Sequence, residues 1–401
     1  MSLSAVPSGE RVHIAFFGLR NAGKSSIVNA VTGQTLSITS DVKGTTTDPV
    51  RKAMELLPIG PVVIIDTPGI DDEGQLGQLR VQRTMQTLDQ TNVAVFVTEA
   101  GRDLVPQEME LLETIRAKSI PCVVVRNKTD LLTAAPPANQ QELLVSALTG
   151  AGIPELKERI AALAKQEEPE KHIAADLLQP GDLVVLITPI DESAPKGRLI
   201  LPQQQTIRDI LECGAFCTVV RDTEYAQALR CLARKPKLVI TDSQAFGLAN
   251  RETPSDILLT SFSILFARYK GDLKEVVRGA FQLDRLKDGD KVLISEGCTH
   301  HRQCGDIGTV KLPNWIRKHT GKDLQLEFTS GGEFPEDLSS YALVIHCGGC
   351  MLNEREMKSR IRHAVDAGVP ITNYGIAIAH LHGILERSLS PFPALLADCK
   401  Q

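Results

Sequence analysis

The chain is expected to be α/β throughout: three consecutive domains, each a largely parallel sheet wrapped by helices. Short β-branched runs alternate with segments of helical period along nearly its whole length. Those runs are apolar on both faces, as strands covered from both sides must be. At 401 residues the chain also exceeds what a single hydrophobic core supports, so the alternation has to be divided among several units.

In the first stretch the strands fall at 12–17, 62–66, 93–98 and 121–127, with a helix at 25–31 behind the first. The charged segment 166–172, which carries Pro169, makes a linker and closes a first domain at 1–168. A second series follows: strand 183–188, helix 206–212, strand 216–220, helix 224–232 and strand 237–241. It predicts a small domain over 173–260. Its Asp191, Glu192, Lys196 and Arg198 are read as a solvated loop. The third domain occupies 261–401, its pattern starting near Asp256. It has a helix at 273–286, a strand at 291–295 leading to Cys298, and a helix near 314–318. A strand at 324–328 and a strand ending in His346 follow. A charged helix from about 353 to 367 is stopped by Gly368 and Pro370. No internal repeat is evident in the residues, although the second and third blocks share a design.

A net charge of −5 and a pI near 6.0 argue against a general nucleic-acid or membrane surface. No apolar run reaches bilayer length, and the first nine residues lack a basic-then-apolar signal. A cytoplasmic location is expected. Nine cysteines, an odd number spread along the chain, do not make a disulfide framework. Cys122 lies in a buried-strand pattern, and Cys213 and Cys217 straddle a turn at Gly214.

Chemistry is written most plainly in Gly18-Leu-Arg-Asn-Ala-Gly23-Lys24-Ser25, which fits the G-x-x-x-x-G-K-[ST] phosphate loop and lies between a strand and a helix. Inward-turned amides and the helix N-terminus favour phosphate. Asn21, Ala22, Gly23, Lys24, Ser25 and Ser26 form the phosphate-binding set. Lys24 would reach the β- and γ-phosphates, and Ser25 would ligate Mg²⁺. Asp66-Thr-Pro-Gly69 ends a strand, so Asp66 would hold the metal while the Gly69 amide senses the γ-phosphate. Asn127-Lys128-Thr-Asp130 resembles the guanine-reading element of GTPases, because Asp130 would accept from guanine N1 and N2 protons that adenine does not present. Ser146, Ala147 and Leu148 fit the last base-contacting loop. Within Gly44-Thr45-Thr46-Thr47-Asp48, Thr46 is favoured as the switch threonine on Mg²⁺, with Thr45 and Thr47 as alternatives. Ile70 occupies the position where Ras-like enzymes place a water-orienting glutamine. Asn21 and the Gly44-Thr-Thr element resemble the TrmE–Era–EngA class, in several members of which that asparagine coordinates K⁺. The resemblance implies potassium-stimulated hydrolysis through Asn21; Ile70 makes it slow, and Lys24 and Thr46 join Asn21 in catalytic roles.

A second chemistry lies near the other end. Cys347 and Cys350 stand three apart at a strand-to-helix corner, separated by Gly348-Gly349. Cys298, after another strand, would add a third thiolate at the carboxyl ends of a sheet, where ligand crevices form. An iron–sulfur cluster on these three cysteines is preferred, with His300, His346, Glu296 or a small molecule at the fourth iron. A structural Zn²⁺ and a redox dithiol are the competing readings. His301 and Cys304 are peripheral neighbours.

Together, Cys298-Thr-His300 and His346-Cys347-Gly-Gly-Cys350 behind a GTPase domain resemble the family of FeFe-hydrogenase maturation GTPases, HydF. The resemblance spans essentially the whole chain. It implies GTP-binding, dimerisation and cluster-binding domains in that order, a 4Fe–4S cluster, and a homodimer. It also implies a scaffold that receives a 2Fe subcluster from radical S-adenosylmethionine maturases and delivers it to apo-hydrogenase. The alternative is an RNA- or ribosome-associated GTPase of the TrmE–Era–EngA class with a zinc site, which would want a basic RNA-binding module.

Overall fold

The computed structural model describes residues 6–34, 49–70, 75–132, 142–165, 171–190, 199–297 and 306–399. Thr46 and its neighbours, the loop at 191–198, and Cys298, His300, His301 and Cys304 lie outside the described residues. The chain divides into two units, Met1–Glu168 and Pro169–Gln401.

The first unit contains β1 (Val12–Phe17), α1 (Lys24–Thr32), β2 (Val50–Leu56), β3 (Gly60–Asp66) and α2 (Gln75–Gln90). β4 (Val93–Glu99), α3 (Pro106–Ala117), β5 (Cys122–Asn127), β6 (Glu142–Leu144) and α4 (Ile153–Ala164) complete it. The sheet order is β2-β3-β1-β4-β5-β6. Alternate residues of the central strands feed two cores: Ile14 and Phe16 face one, Ala15 and Phe17 the other. That two-sided burial is why these strands are continuous apolar runs. β2 is the antiparallel member of an otherwise parallel sheet. It pairs antiparallel with β3 at the edge and is mostly exposed, so it lacks the apolar signature that revealed the others.

The second unit holds two four-stranded sheets, both wholly parallel. β7 (Leu183–Ile187), α5 (Leu201–Glu212), β8 (Phe216–Val220), α6 (Tyr225–Cys231), β9 (Leu238–Thr241), α7 (Phe246–Glu252) and β10 (Leu258–Ser261) build the first, ordered β10-β9-β7-β8. The pattern assigned to the third block from Asp256 onward therefore starts too early, because β10 completes the middle sheet. After α8 (Phe262–Lys270) and α9 (Leu273–Ala280) come β11 (Lys291–Glu296), α10 (Leu312–Thr320), β12 (Gln325–Ser330) and β13 (Leu343–His346). α11 (Glu354–Asp366), β14 (Ile371–Asn373), α12 (Tyr374–Leu381), α13 (Leu385–Ser388) and α14 (Pro393–Cys399) end the chain. This sheet is ordered β12-β11-β13-β14.

The two small sheets share one winding: the second strand lies on one side of the first, and the third and fourth on the other. Each chain path reverses beside its first strand, which opens a crevice at the strand carboxyl ends there. In the third domain that crevice lies between β11 and β13. Short polar caps start its helices: Asp272 for α9, Asn353 for α11 and Asn373 for α12 each accept from the amide three residues on. The helix expected at 273–286 stops at Ala280 and tightens into a 3₁₀ turn over Phe281–Arg285.

Candidate functional site

The phosphate loop follows β1 and leads into α1. Gly18 takes φ +144°, and a Cβ there would lie 2.1 Å from the Val97 carbonyl oxygen, so only glycine fits. At Gly23, φ +89°, a Cβ would come within 2.2 Å of the Asn127 Nδ2 atom. Lys24 is buried, and its Nζ donates to the carbonyls of Gly18 and Leu19 at 3.1 and 2.8 Å. Ser25 Oγ donates to Asp66 Oδ2 at 2.6 Å, so the two expected Mg²⁺ partners already meet. Asn21 stands exposed in the loop with a left-handed φ of 61°.

The base-reading segments are fastened to this loop. Asn127 is 2% exposed; its Nδ2 donates to the Ala22 carbonyl at 3.0 Å and its Oδ1 accepts from the Ala147 amide at 3.1 Å. Ser146 Oγ donates to Asp130 Oδ1 at 2.5 Å and fixes that carboxylate. Lys128, at φ +66°, places its ammonium on Glu99 at the end of β4. Glu99 was missed in the sequence because nothing in its local pattern marks it. Asn21, Gly23, Lys24, Ser25 and Ser26 face Asn127, Lys128, Asp130, Ala147 and Leu148 across a cavity of about 560 Å³, which Leu131 also lines. Ala22 is buried and does not line the cavity, its carbonyl accepting from Asn127, and Gly69 follows β3 beside Ile70. Ile70 packs on the apolar core containing Phe17, Ile65 and Leu88 and has no polar atom to offer a water.

Cys347 lies at the crevice of the third domain. The Cys347 amide donates to the Ser295 carbonyl at 2.8 Å, continuing the β11–β13 ladder one residue past β13. The Gly297 amide donates to Cys347 Sγ at 3.0 Å, and the Gly349 amide reaches the same sulfur at 3.4 Å. Gly349 takes φ +62°, which turns the corner toward Cys350. Two backbone donors on one sulfur fix its position at the corner. Glu296, 4% exposed, accepts from Tyr374 Oη at 3.4 Å. Burial first, and then Glu296, Cys347 and Asp306, push the Tyr374 phenol far up, so it stays a donor. A π-helical turn over Ile307–Lys311 approaches closely, since a Cβ on Gly308 would lie 2.5 Å from Glu296 Oε1.

His346 requires a correction. It was a candidate for the fourth iron, yet its ring is fully buried with both nitrogens engaged. Arg360, which can only donate, places Nη1 2.9 Å from His346 Nε2, so Nδ1 carries the proton and donates to the Cys347 carbonyl at 2.7 Å. Burial, followed by the Arg360 charge, pushes the imidazole pKa down to about 3. Arg360 also pairs with the buried Glu356 at 2.6 Å and lies over the Phe334 ring. His346 therefore positions Cys347. No sequence spacing separates a ligand from such a brace.

The comparisons with known proteins follow the same division. Residues 173–271 match the hydrogen maturase F dimerization domain and 274–391 the hydrogen maturase F tetramerization domain. Residues 13–128 match the model described as 50S ribosome-binding GTPase. A tRNA modification GTPase MnmE from Synechococcus sp. is 36% identical over 176 residues, covering 42% of this chain and 37% of that protein. GTPase Era from Carboxydothermus hydrogenoformans is 33% identical over 168 residues, covering 39% of this chain and 56% of that protein. The chain thus spans between about a third and just over half of the curated relatives it matches. Among solved structures, a variant of Aquifex aeolicus Era bound to GDP.AlF4- is 20% identical. That match covers 60% of this chain and 97% of the Era chain, with a TM-score of 0.35. The first domain is a GTPase domain, and the remaining two match modules of oligomer assembly. No helix among the described residues is long and apolar enough to cross a membrane.

Proposed function

We propose, from the premise that this chain belongs to the hydrogen maturase F family, that it is a GTP hydrolase whose third domain carries iron–sulfur cargo to apo-hydrogenase. The observation that carries the reading is the Gly297 amide on Cys347 Sγ. It brings the end of β11, one residue before Cys298, to the sulfur of the Cys347/Cys350 corner. The donor types suit the group: three soft thiolates favour iron–sulfur chemistry. Cys298, Cys347 and Cys350 would hold a 4Fe–4S cluster and leave one iron with an exchangeable ligand. Glu296 and His300 remain the candidates for that position. The residues themselves orient and shield: His346 fixes the Cys347 carbonyl, and buried Lys270 donates to the Leu352 carbonyl at 3.3 Å in the turn beyond.

In the first domain Ser25 and Asp66 would hold Mg²⁺, with Thr46 as the switch residue. Lys24 would neutralise developing phosphate charge. Because Ile70 cannot orient water, hydrolysis would be slow, with K⁺ at Asn21 supplying positive charge. The proposed domain limits are 1–168 for GTP binding, 173–260 for dimerisation and 261–401 for the cluster. Dimer formation is supported by β8, an edge strand whose Phe216 and Val219 side chains are exposed. The partners would be radical S-adenosylmethionine maturases and apo-hydrogenase, in the cytoplasm.

Anaerobic reconstitution of the full chain with iron and sulfide tests this. Broad visible absorption and a reduced-state EPR signal, both lost in Cys298→Ala, are expected. One zinc per chain, or a reversible Cys347–Cys350 dithiol without iron, would refute the cluster.

A further inference from the structure

Three ligating side chains that belong to neither site meet elsewhere in the third domain. Asp284 lies in the 3₁₀ turn after α9, His319 in the last turn of α10 and His380 in the last turn of α12. His319 Nε2 is 2.7 Å from Asp284 Oδ1, and His380 Nε2 is 2.9 Å from Oδ2. One ligand atom from each residue falls within 4.8 Å of the others. The two imidazoles meet edge to face at 5.8 Å between centroids, and His380 is held by the Phe281 ring at 5.3 Å. Its side chain is only 11% exposed, so its direction is set by packing, whereas half-exposed Asp284 leaves the cluster open to solvent.

Two imidazoles and a carboxylate converging from three segments make the donor set of first-row divalent cations, with free positions for water. Both histidines also sit at helix C-termini, where the unpaired carbonyls favour positive charge. The geometry points to a divalent transition-metal site formed by Asp284, His319 and His380, which ties the turn after α9 to the ends of α10 and α12. Neither Cys347 nor Cys350 contributes to it. Its role is to fasten these three segments, since each supplies one ligand and no two of them are consecutive.

A carboxylate shared by two histidines is also what a metal-free ion pair looks like, so affinity for the ion decides. The only tryptophan, Trp315, lies four residues before His319, one turn back on the same face of α10, and reports on the site. The probe is Co²⁺, titrated into the full chain carrying Cys298→Ser, Cys347→Ser and Cys350→Ser to remove the thiolates. Trp315 fluorescence should be quenched with a stoichiometry of one. Asp284→Asn and His380→Ala, shown folded by circular dichroism, should each weaken binding at least tenfold. Quenching unchanged in both, or no quenching in the serine background, overturns the site. If the serine background does not fold, the wild-type chain is titrated instead. Weak visible d–d bands that disappear in Asp284→Asn support the site, and thiolate charge-transfer bands alone overturn it.

Discussion

The main-chain amide of Gly297 donates to the Sγ of Cys347 at 3.0 Å and joins the carboxyl ends of two neighbouring strands. A Cβ on Gly297 would press against Leu352 at 2.7 Å, so the amide is held at the sulfur by packing as well as by the ladder. Cys347 is thereby the best-anchored thiol among the described residues. Cys347→Ala should lose most of the iron taken up on reconstitution while GTP turnover by the first unit is unchanged. Iron analysis beside phosphate release checks this. Equal loss of both would mean that the substitution unfolds the chain.

In the proposed guanine-binding site base choice would rest on Asp130, whose carboxylate Ser146 holds. Asn in its place keeps the shape but presents an amide where guanine offers two protons. A hydrogen bond to a charged partner contributes about 1.5–3 kcal/mol, so Asp130→Asn should weaken GTP binding by about 10- to 100-fold. Xanthosine triphosphate, whose 2-position acceptor would meet the Asn amide donor in place of a carboxylate, should bind the variant more tightly than the wild-type chain. Competition binding with the two nucleotides gives the answer.

The neighbouring Asn21 is exposed at a left-handed φ, so its side chain is free of the core and placed at the mouth of the cavity. Turnover should be faster in K⁺ than in Na⁺ at equal ionic strength. Asn21→Ala should remove most of that ratio and leave GTP affinity nearly unchanged. Equal rates in the two salts for the wild-type chain would end the potassium reading.

Legibility in the sequence followed burial. β1 was visible to the residue because Ile14 through Phe17 are buried on both faces. β2 was invisible because its exposed edge position lets charged residues fill it, and β14 was too short, at three residues, to show a period. Motifs with fixed spacing, such as Gly18 to Ser25 or Cys347 to Cys350, named their residues directly. What spacing could not supply was the direction of a side chain. His346 adjoins Cys347 as a ligand would, yet its ring turns into the core toward Arg360. The Asp284, His319 and His380 cluster was unreadable for the opposite reason: its members are brought together only by the fold.

The brace under Cys347 should be felt as pH dependence. His346 has its pKa pushed down to about 3, by burial first and Arg360 second, from an ordinary value of 6.5. Below about pH 6.5 the unfolded chain takes up a proton at this residue that the folded chain refuses. Stability from this group is therefore complete at neutral pH and falls as pH drops toward 3, by about 1.4 kcal/mol per pH unit. Between pH 7 and pH 5 the second unit should lose about 2 kcal/mol more than a His346→Gln variant, whose side chain does not titrate. Urea unfolding of both chains at the two pH values measures the difference, and all other titrating groups cancel in it. Equal losses in the two chains would reduce His346 to a core residue whose titration has no bearing on stability.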